Sequence, residues 1–203
     1  MADVSYNIPD LRPGEVFRVE QTIKRSRFIA SVGHTPGVEE AKAFIEQIKA
    51  EFEDARHNCW AYCAGAAGST DRIGASDDGE PHGTAGRPML TAVTHSGIGE
   101  VTVVVTRYFG GILLGTGGLV KAYQSSVKMA LEGVSTRVRT KTKRIKFSVE
   151  HRFVNQVLRK IETANGRILE KNFDMDADLM WRSSRISLRL LLKNWKSSHE
   201  ELF

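Results

Sequence analysis

The sequence predicts a mixed α/β (α+β) protein built from two domains. Three observations carry that prediction. Residues 36–52 repeat apolar side chains at helical spacing between strand-like stretches. Residues 99–111, "GEVTVVVTRYFGG", hold the most apolar strand of the chain and lead through glycines into a second helical pattern. Beyond Val134 the charge changes: residues 1–140 carry 15 Lys/Arg against 16 Asp/Glu, and residues 141–203 carry 14 against 8.

Each element follows from its own residues. "EVFRVEQTIKRSRFIASVGH" (15–34) reads as two short strands around a basic turn: Phe17, Val19 and Gln21 alternate with polar neighbours, and Phe28, Ala30 and Val32 share a face. Thr35 is expected to cap the next helix, Pro36 suits its first position, and Glu39 and Glu40 favour its first turn. Ala41, Phe44, Ile45, Ile48 and Phe52 then form its apolar stripe. "HNCWAYCAGA" (57–66) reads as a buried strand. A loop of about fifteen residues follows, then a helix from near Thr84 whose first turn must hold Pro88. After the strand at 99–111 a helix runs from about Leu119 to Gly133, with Leu119, Tyr123, Val127, Ala130 and Leu131 on one side.

The second domain is expected over residues 135–203, and the first over residues 1–134. It reads as a strand (Ile145, Phe147, Val149), a helix from Phe153 that stops at Asn165 and Gly166, strands near 167–173 and 180–193, and a helix from Trp195. The order β-α-β-β-α leaves a ferredoxin-like domain without its last strand.

With 203 residues, 41% of them hydrophobic, the chain is long enough for two small cores. It has no apolar run near the roughly 20 residues of a membrane span and no signal-peptide pattern, so a cytoplasmic protein is expected. Two cysteines are too few for a disulfide framework.

The richest motif is "SDDGEPHGTAGRPML" (76–90). Asp77, Asp78 and Glu80 suit a hard cation or an acid/base pair with His57, although Asp-Gly and Glu-Pro are also ordinary turn chemistry. In a strand His57, Cys59 and Cys63 share a face, which suits a thiol nucleophile or part of a zinc site, but also a plain core. In "GGILLGTGGLVK", Gly110 and Gly115 keep the outer spacing of a Walker loop, but Thr116 stands where lysine is needed. Gly115 and Gly117 start a dinucleotide fingerprint that fails at Val120. A helix start flanked by Arg107 and Lys121 remains, which suits an anion and equally a tight strand-to-helix turn that needs glycine. Trp60, Tyr62, Tyr108 and Phe109 suit base stacking or core packing.

Three blocks in this order resemble the IMPACT/YigZ family: "DARHNCWAY" (54–62), "SDDGEPHGTAGRPML" (76–90) and "VVVTRYFGGILLGTGGLVKAY" (103–123). The resemblance implies an N-terminal domain with a left-handed β-α-β crossover, like the second domain of ribosomal small-subunit protein five. It also implies a ferredoxin-like second domain and a role in translation, with no catalytic activity or cofactor to carry over. His82 stands where the family usually has a small residue.

Together these readings predict a binding cleft lined by His57, Ser76, Asp77, Asp78, Glu80, Arg107, Tyr108, Gly110, Gly111, Thr116 and Lys121. They also predict a basic surface of Arg137, Arg139, Lys141, Lys143, Arg144 and Lys146 that contacts RNA or the ribosome. No metal or cofactor is expected. A hydrolase using Asp77, Asp78 or Glu80 with His57 is the alternative, and a pure protein–protein adaptor, engaging a translation factor or regulatory protein, is the third reading.

Overall fold

A computed structural model describes residues 5–140, 142–163, 167–173 and 177–184. Its chain contacts divide after Arg139, so that Tyr6–Arg139 forms one compact unit and the following chain builds a second. The sequence places this boundary after Val134. The difference arises because β7 (Thr136–Thr140) pairs with β1 (Ser5–Pro9) in a two-stranded ribbon.

The first unit is centred on a five-stranded antiparallel sheet. Its strands are β2 (Phe17–Ile23), β3 (Ser26–His34), β4 (His57–Cys63), β5 (Ile73–Ser76) and β6 (Val101–Tyr108), in the order β2-β3-β6-β4-β5. β2 and β3 form a hairpin whose turn residues Lys24 and Arg25 have φ of 45° and 65°, the conformation that matches strand twist. β3 and β4 both run antiparallel to β6, one on each side of it. The helix between them, α1 (Val38–Glu51), therefore belongs to a split β-α-β crossover.

The sheet is covered on both faces, which explains why β6 reads as a nearly continuous apolar run rather than an alternating one. Phe28, Ala30, Val32, Cys59, Ala61, Val101, Val103 and Val105 pack against α2 (Gly86–His95) and α3 (Thr116–Gly133). Val104 and Tyr62, on the opposite face, pack against Ala41, Phe44, Ile45 and Ile48 of α1. Tyr123 meets Phe28 edge-to-face at 5.4 Å and both are fully buried, so this pair fixes α3 on the sheet.

Thr35 does not cap α1, which starts at Val38 after Gly37. Its hydroxyl instead meets that of Thr102 at 2.7 Å, and its N–H donates to the Glu100 carbonyl. α2 starts at Gly86 and holds Pro88 in its first turn, as expected. The five residues predicted for the buried side of α3 are all buried.

Among the described residues the second unit contains β8 (Thr142–Val149), a 3-10 turn at His151–Phe153, α4 (Val154–Thr163), β9 (Arg167–Phe173) and β10 (Ala177–Ser184). The antiparallel order is β8-β10-β9. β10 thus lies between two strands joined by a helix, as in the first half of a ferredoxin-like domain. Val157, Ile161 and Leu179 form its core. The predicted stop at Asn165 and Gly166, the end of the strand to residue 193 and the helix from Trp195 lie outside the described residues.

Candidate functional site

The 76–90 motif crosses one end of the first sheet, where β4 starts, β6 ends and α2 begins. Each of its three carboxylates turns toward a different element. Asp77 caps α2: Oδ1 accepts the N–H groups of Ala85 (3.0 Å) and Gly86 (2.8 Å), and Oδ2 accepts that of Gly83 (2.8 Å). Burial alone would raise its pKa. The backbone bonds from Gly83, Gly86 and Ala85 outweigh that and hold the carboxyl below its ordinary value.

Asp78 ties β4 to α1. Its Oδ2 accepts the Asn58 N–H at 2.7 Å and its Oδ1 accepts Lys49 Nζ at 2.8 Å. Its backbone is held at φ 41°, and its N–H donates to Ser76 Oγ at 3.2 Å. Its carbonyl lies 2.9 Å from His57 Nδ1. A carbonyl only accepts, so Nδ1 carries the proton.

Glu80 points inward. Its Oε1 accepts Arg107 Nη1 at 2.6 Å and the Tyr123 hydroxyl at 2.8 Å. Glu80 is only 8% exposed and Arg107 6%, so this is a buried ion pair. Arg107 Nη2 reaches Ser26 Oγ at 3.4 Å, while Nε has no hydrogen-bond partner. The guanidinium lies 5.6 Å from the ring centroids of both Phe28 and Phe109. Burial first, then the neighbouring Cys59 and Glu80, pushes the Tyr123 phenol far above its ordinary range, which keeps it a proton donor.

His57, Ser76, Asp77, Asp78, Glu80 and Arg107 are thus brought together, as a connected network rather than as the open lining of a cleft. The other predicted lining residues separate from it. Tyr108 donates to Asp54 Oδ1 at 2.7 Å, with Arg27 over its ring at 5.7 Å. Gly110 packs on the β2–β3 turn so closely that a Cβ there would sit 1.8 Å from the Arg25 carbonyl oxygen. Gly111 is exposed at φ 85°, and Thr116 is exposed at the start of α3. Lys121 lines a groove of about 640 Å³ between α2 and α3, together with His95, Gln124 and Lys128. Arg87 lines an adjoining depression that shares Gln124 with it.

Cys59 is held as a buried thiol. Burial pushes its thiol up to about 12, and Sγ donates to the Asp77 carbonyl at 2.9 Å. Cys63 is buried as well, and burial raises its pKa. Among the described residues no group of His, Cys, Asp and Glu has the arrangement to hold a metal ion. His82 is fully exposed, with Nδ1 3.7 Å from Asp77 Oδ2. Trp60 and Tyr62 stack on each other at 5.7 Å beside α1, in a core role.

The basic surface is altered at its start. Arg137 faces Asp10 at 3.6 Å, and Arg139 Nε lies 2.9 Å from Glu100 Oε1. Both are therefore partly neutralised within the first unit. Lys146 is exposed on β8, while Lys141 and the side chains of Lys143 and Arg144 lie outside the described residues.

Two features escape the sequence reading. Buried Glu100 gathers the Tyr6 hydroxyl (2.8 Å), His34 Nε2 (3.0 Å) and Arg139 at the opposite end of the sheet, from a backbone at φ 53°. Nothing in the local sequence marks it, because its partners are 94 and 66 residues away. The second is the loop after β6, where Phe109, Ile112 and Leu113 are exposed. Three apolar residues inside a glycine turn were its signal.

Comparison with known proteins matches the same blocks. The family pattern described as the Impact N-terminal domain covers residues 24–131. The chain is 46% identical over 163 residues to the IMPACT family member YigZ of Escherichia coli K12, which spans 80% of each protein. It is 42% identical over 170 residues to an IMPACT family member of Haemophilus influenzae, covering 84% of this chain and 82% of that protein. A crystal structure of a hypothetical protein superposes with a TM-score of 0.68 at 38% identity, covering 98% of this chain and 95% of that one. Among the described residues no helix is long and apolar enough to cross a membrane.

Proposed function

The chain belongs to the IMPACT family, and from that premise we propose that it is a non-catalytic, cytoplasmic binding protein of the translation machinery that engages RNA or the ribosome. The observation that carries this reading is the trough between α2 and α3. Arg87, Lys121 and Lys128 line its two adjoining depressions with His95, and Lys128 lies 3.8 Å from the one lining carboxylate, Glu132. Gln124 and Ser125 add neutral hydrogen-bonding groups. Such a basic, polar track suits a phosphate backbone. Lys141, Lys143, Arg144 and Lys146 would add the positive charge of the second unit, and Arg137 and Arg139 already face Asp10 and Glu100.

Binding is favoured over hydrolysis because the acidic motif is already committed. Asp77 accepts three backbone N–H groups, Asp78 a backbone N–H and Lys49, and Glu80 Arg107 and Tyr123. A general acid needs an exchangeable proton near the working pH, and Asp77 is shifted the other way.

The test is binding of labelled ribosomal and transfer RNA across a salt series. Wild type should bind at physiological salt, with log affinity falling linearly in log salt. Arg87→Ala/Lys121→Ala/Lys128→Ala should lower the slope by about 2, at roughly 0.7 per lost contact with single-stranded RNA. No affinity for either RNA at physiological salt would sink the RNA reading and leave the adaptor.

A further inference from the structure

We propose that the loop after β6 is a preformed docking knob for a protein partner that offers an apolar socket edged with carboxylates. The proposal stands independently of the RNA reading, because it uses a different surface. Phe109 is 50% exposed, Ile112 41% and Leu113 81%, three large apolar side chains within five positions. An exposed apolar cluster of this kind on a folded surface marks an interaction site more often than chance.

The loop is built to hold its shape. Its first residue, Phe109, lies against the buried Arg107 guanidinium, which is bonded to Glu80. Gly110 presses on the Arg25 carbonyl, where a Cβ would come within 1.8 Å, and its N–H reaches Ser26 Oγ at 3.4 Å. Gly115, at φ 73°, closes the loop directly onto α3. A knob ordered in advance loses little conformational freedom on docking.

The chemistry of the occupant follows from the side chains. Ile112 and Leu113 have no π face, so the most exposed part of the knob selects apolar side chains rather than bases. The shoulder is basic: Lys24 and Arg25 are exposed at the hairpin tip on which Gly110 rests, and neither forms an ion pair with a described carboxylate. Charge complementarity therefore asks for Asp or Glu around the socket.

The test is a selection of random displayed peptides on the full-length protein, followed by titration of the enriched peptides. They should combine apolar residues with Asp and Glu. Leu113→Asp, at a position too exposed to threaten folding, should weaken them about 30-fold, as loss of an interface hot spot does. Lys24→Glu/Arg25→Glu should weaken them too, while the RNA salt slope of Leu113→Asp stays that of wild type. The proposal fails if no peptide is enriched or if the enriched peptides bind Leu113→Asp as tightly as wild type. It also fails if RNA affinity is what Leu113→Asp removes. Uptake onto phosphatidylserine–phosphatidylcholine vesicles, lost in Leu113→Asp, in place of peptide binding would assign the knob to a membrane surface and overturn the protein partner.

Discussion

Removing the Glu80 carboxylate should cost more than any other single side-chain change in the acidic motif. In Glu80→Ala, Arg107 stays buried with Nε already unpartnered, and its remaining bond is to Ser26 Oγ at 3.4 Å. The Tyr123 hydroxyl loses its acceptor in the same step. Breaking a buried ion pair from one side costs about 3–5 kcal/mol, most of it the stranded charge. With a urea slope of about 2 kcal/mol/M, the midpoint should fall by about 2 M. Hydrogen exchange of the β6 peptide across a urea series reads the first unit alone. Glu80→Met/Arg107→Met removes both charges and should recover most of the loss, since no cation is left without its anion. If Glu80→Ala moves the midpoint by less than about 0.5 M, the pair behaves like a surface ion pair and the argument fails. It fails equally if the double variant is no better than the single one.

Three other outcomes follow from the same geometry. Asp77→Ala should cost about 1–2 kcal/mol through loss of the α2 cap, and urea midpoints will measure it. Because the folded pKa of Asp77 is depressed, its contribution is present above the unfolded value near 4 and is lost as pH falls through the folded value; Asp77→Asn should flatten that acid limb. Burial, with the Glu100 bond next, raises Tyr6 to about 12, so its contribution is complete below about pH 10 and disappears as pH rises through 12. Absorbance titration of wild type against Tyr6→Phe will read this, and an ordinary phenol pKa would refute it. Cys59, raised to about 12 by burial, should resist iodoacetamide at neutral pH until the unit unfolds; prompt alkylation of Cys59 in the native protein would contradict its placement.

Much of the layer structure was legible because it rests on local patterns. The stripe Ala41, Phe44, Ile45, Ile48 announces α1, and the five buried positions of α3 repeat at helical spacing. The start of α1 was not legible, because Thr35 answers to Thr102 and to the Glu100 carbonyl across the sheet instead of to its own helix. The composition of the motif at 76–90 was visible, but the direction of each carboxylate was not. Glu80 meets Arg107 and Tyr123 across 27 and 43 residues, and pairings at that range leave no periodic trace. Lys121 was grouped with Arg107 because both flank the glycine turn in sequence. The structure sends Arg107 into the core and Lys121 to the α2–α3 groove, since a strand end and a helix face diverge after the turn.

The acidic motif is best understood as a clamp. Asp77 fixes α2 on one face of the sheet, and Asp78 fixes α1 on the other through Lys49. Glu80 fixes the end of β6 and the middle of α3 through Arg107 and Tyr123. One stretch of chain thereby joins all three layers at one end of the unit. Each of the three carboxylates meets a structural partner. The Arg107 guanidinium carries the clamp outward, because the ring it holds, Phe109, is the root of the exposed loop. On this argument a lesion at Glu80 and a lesion at Leu113 should both weaken docking in the peptide titration, for opposite reasons: the first loosens the base of the knob at a cost in stability, and the second removes its tip at none.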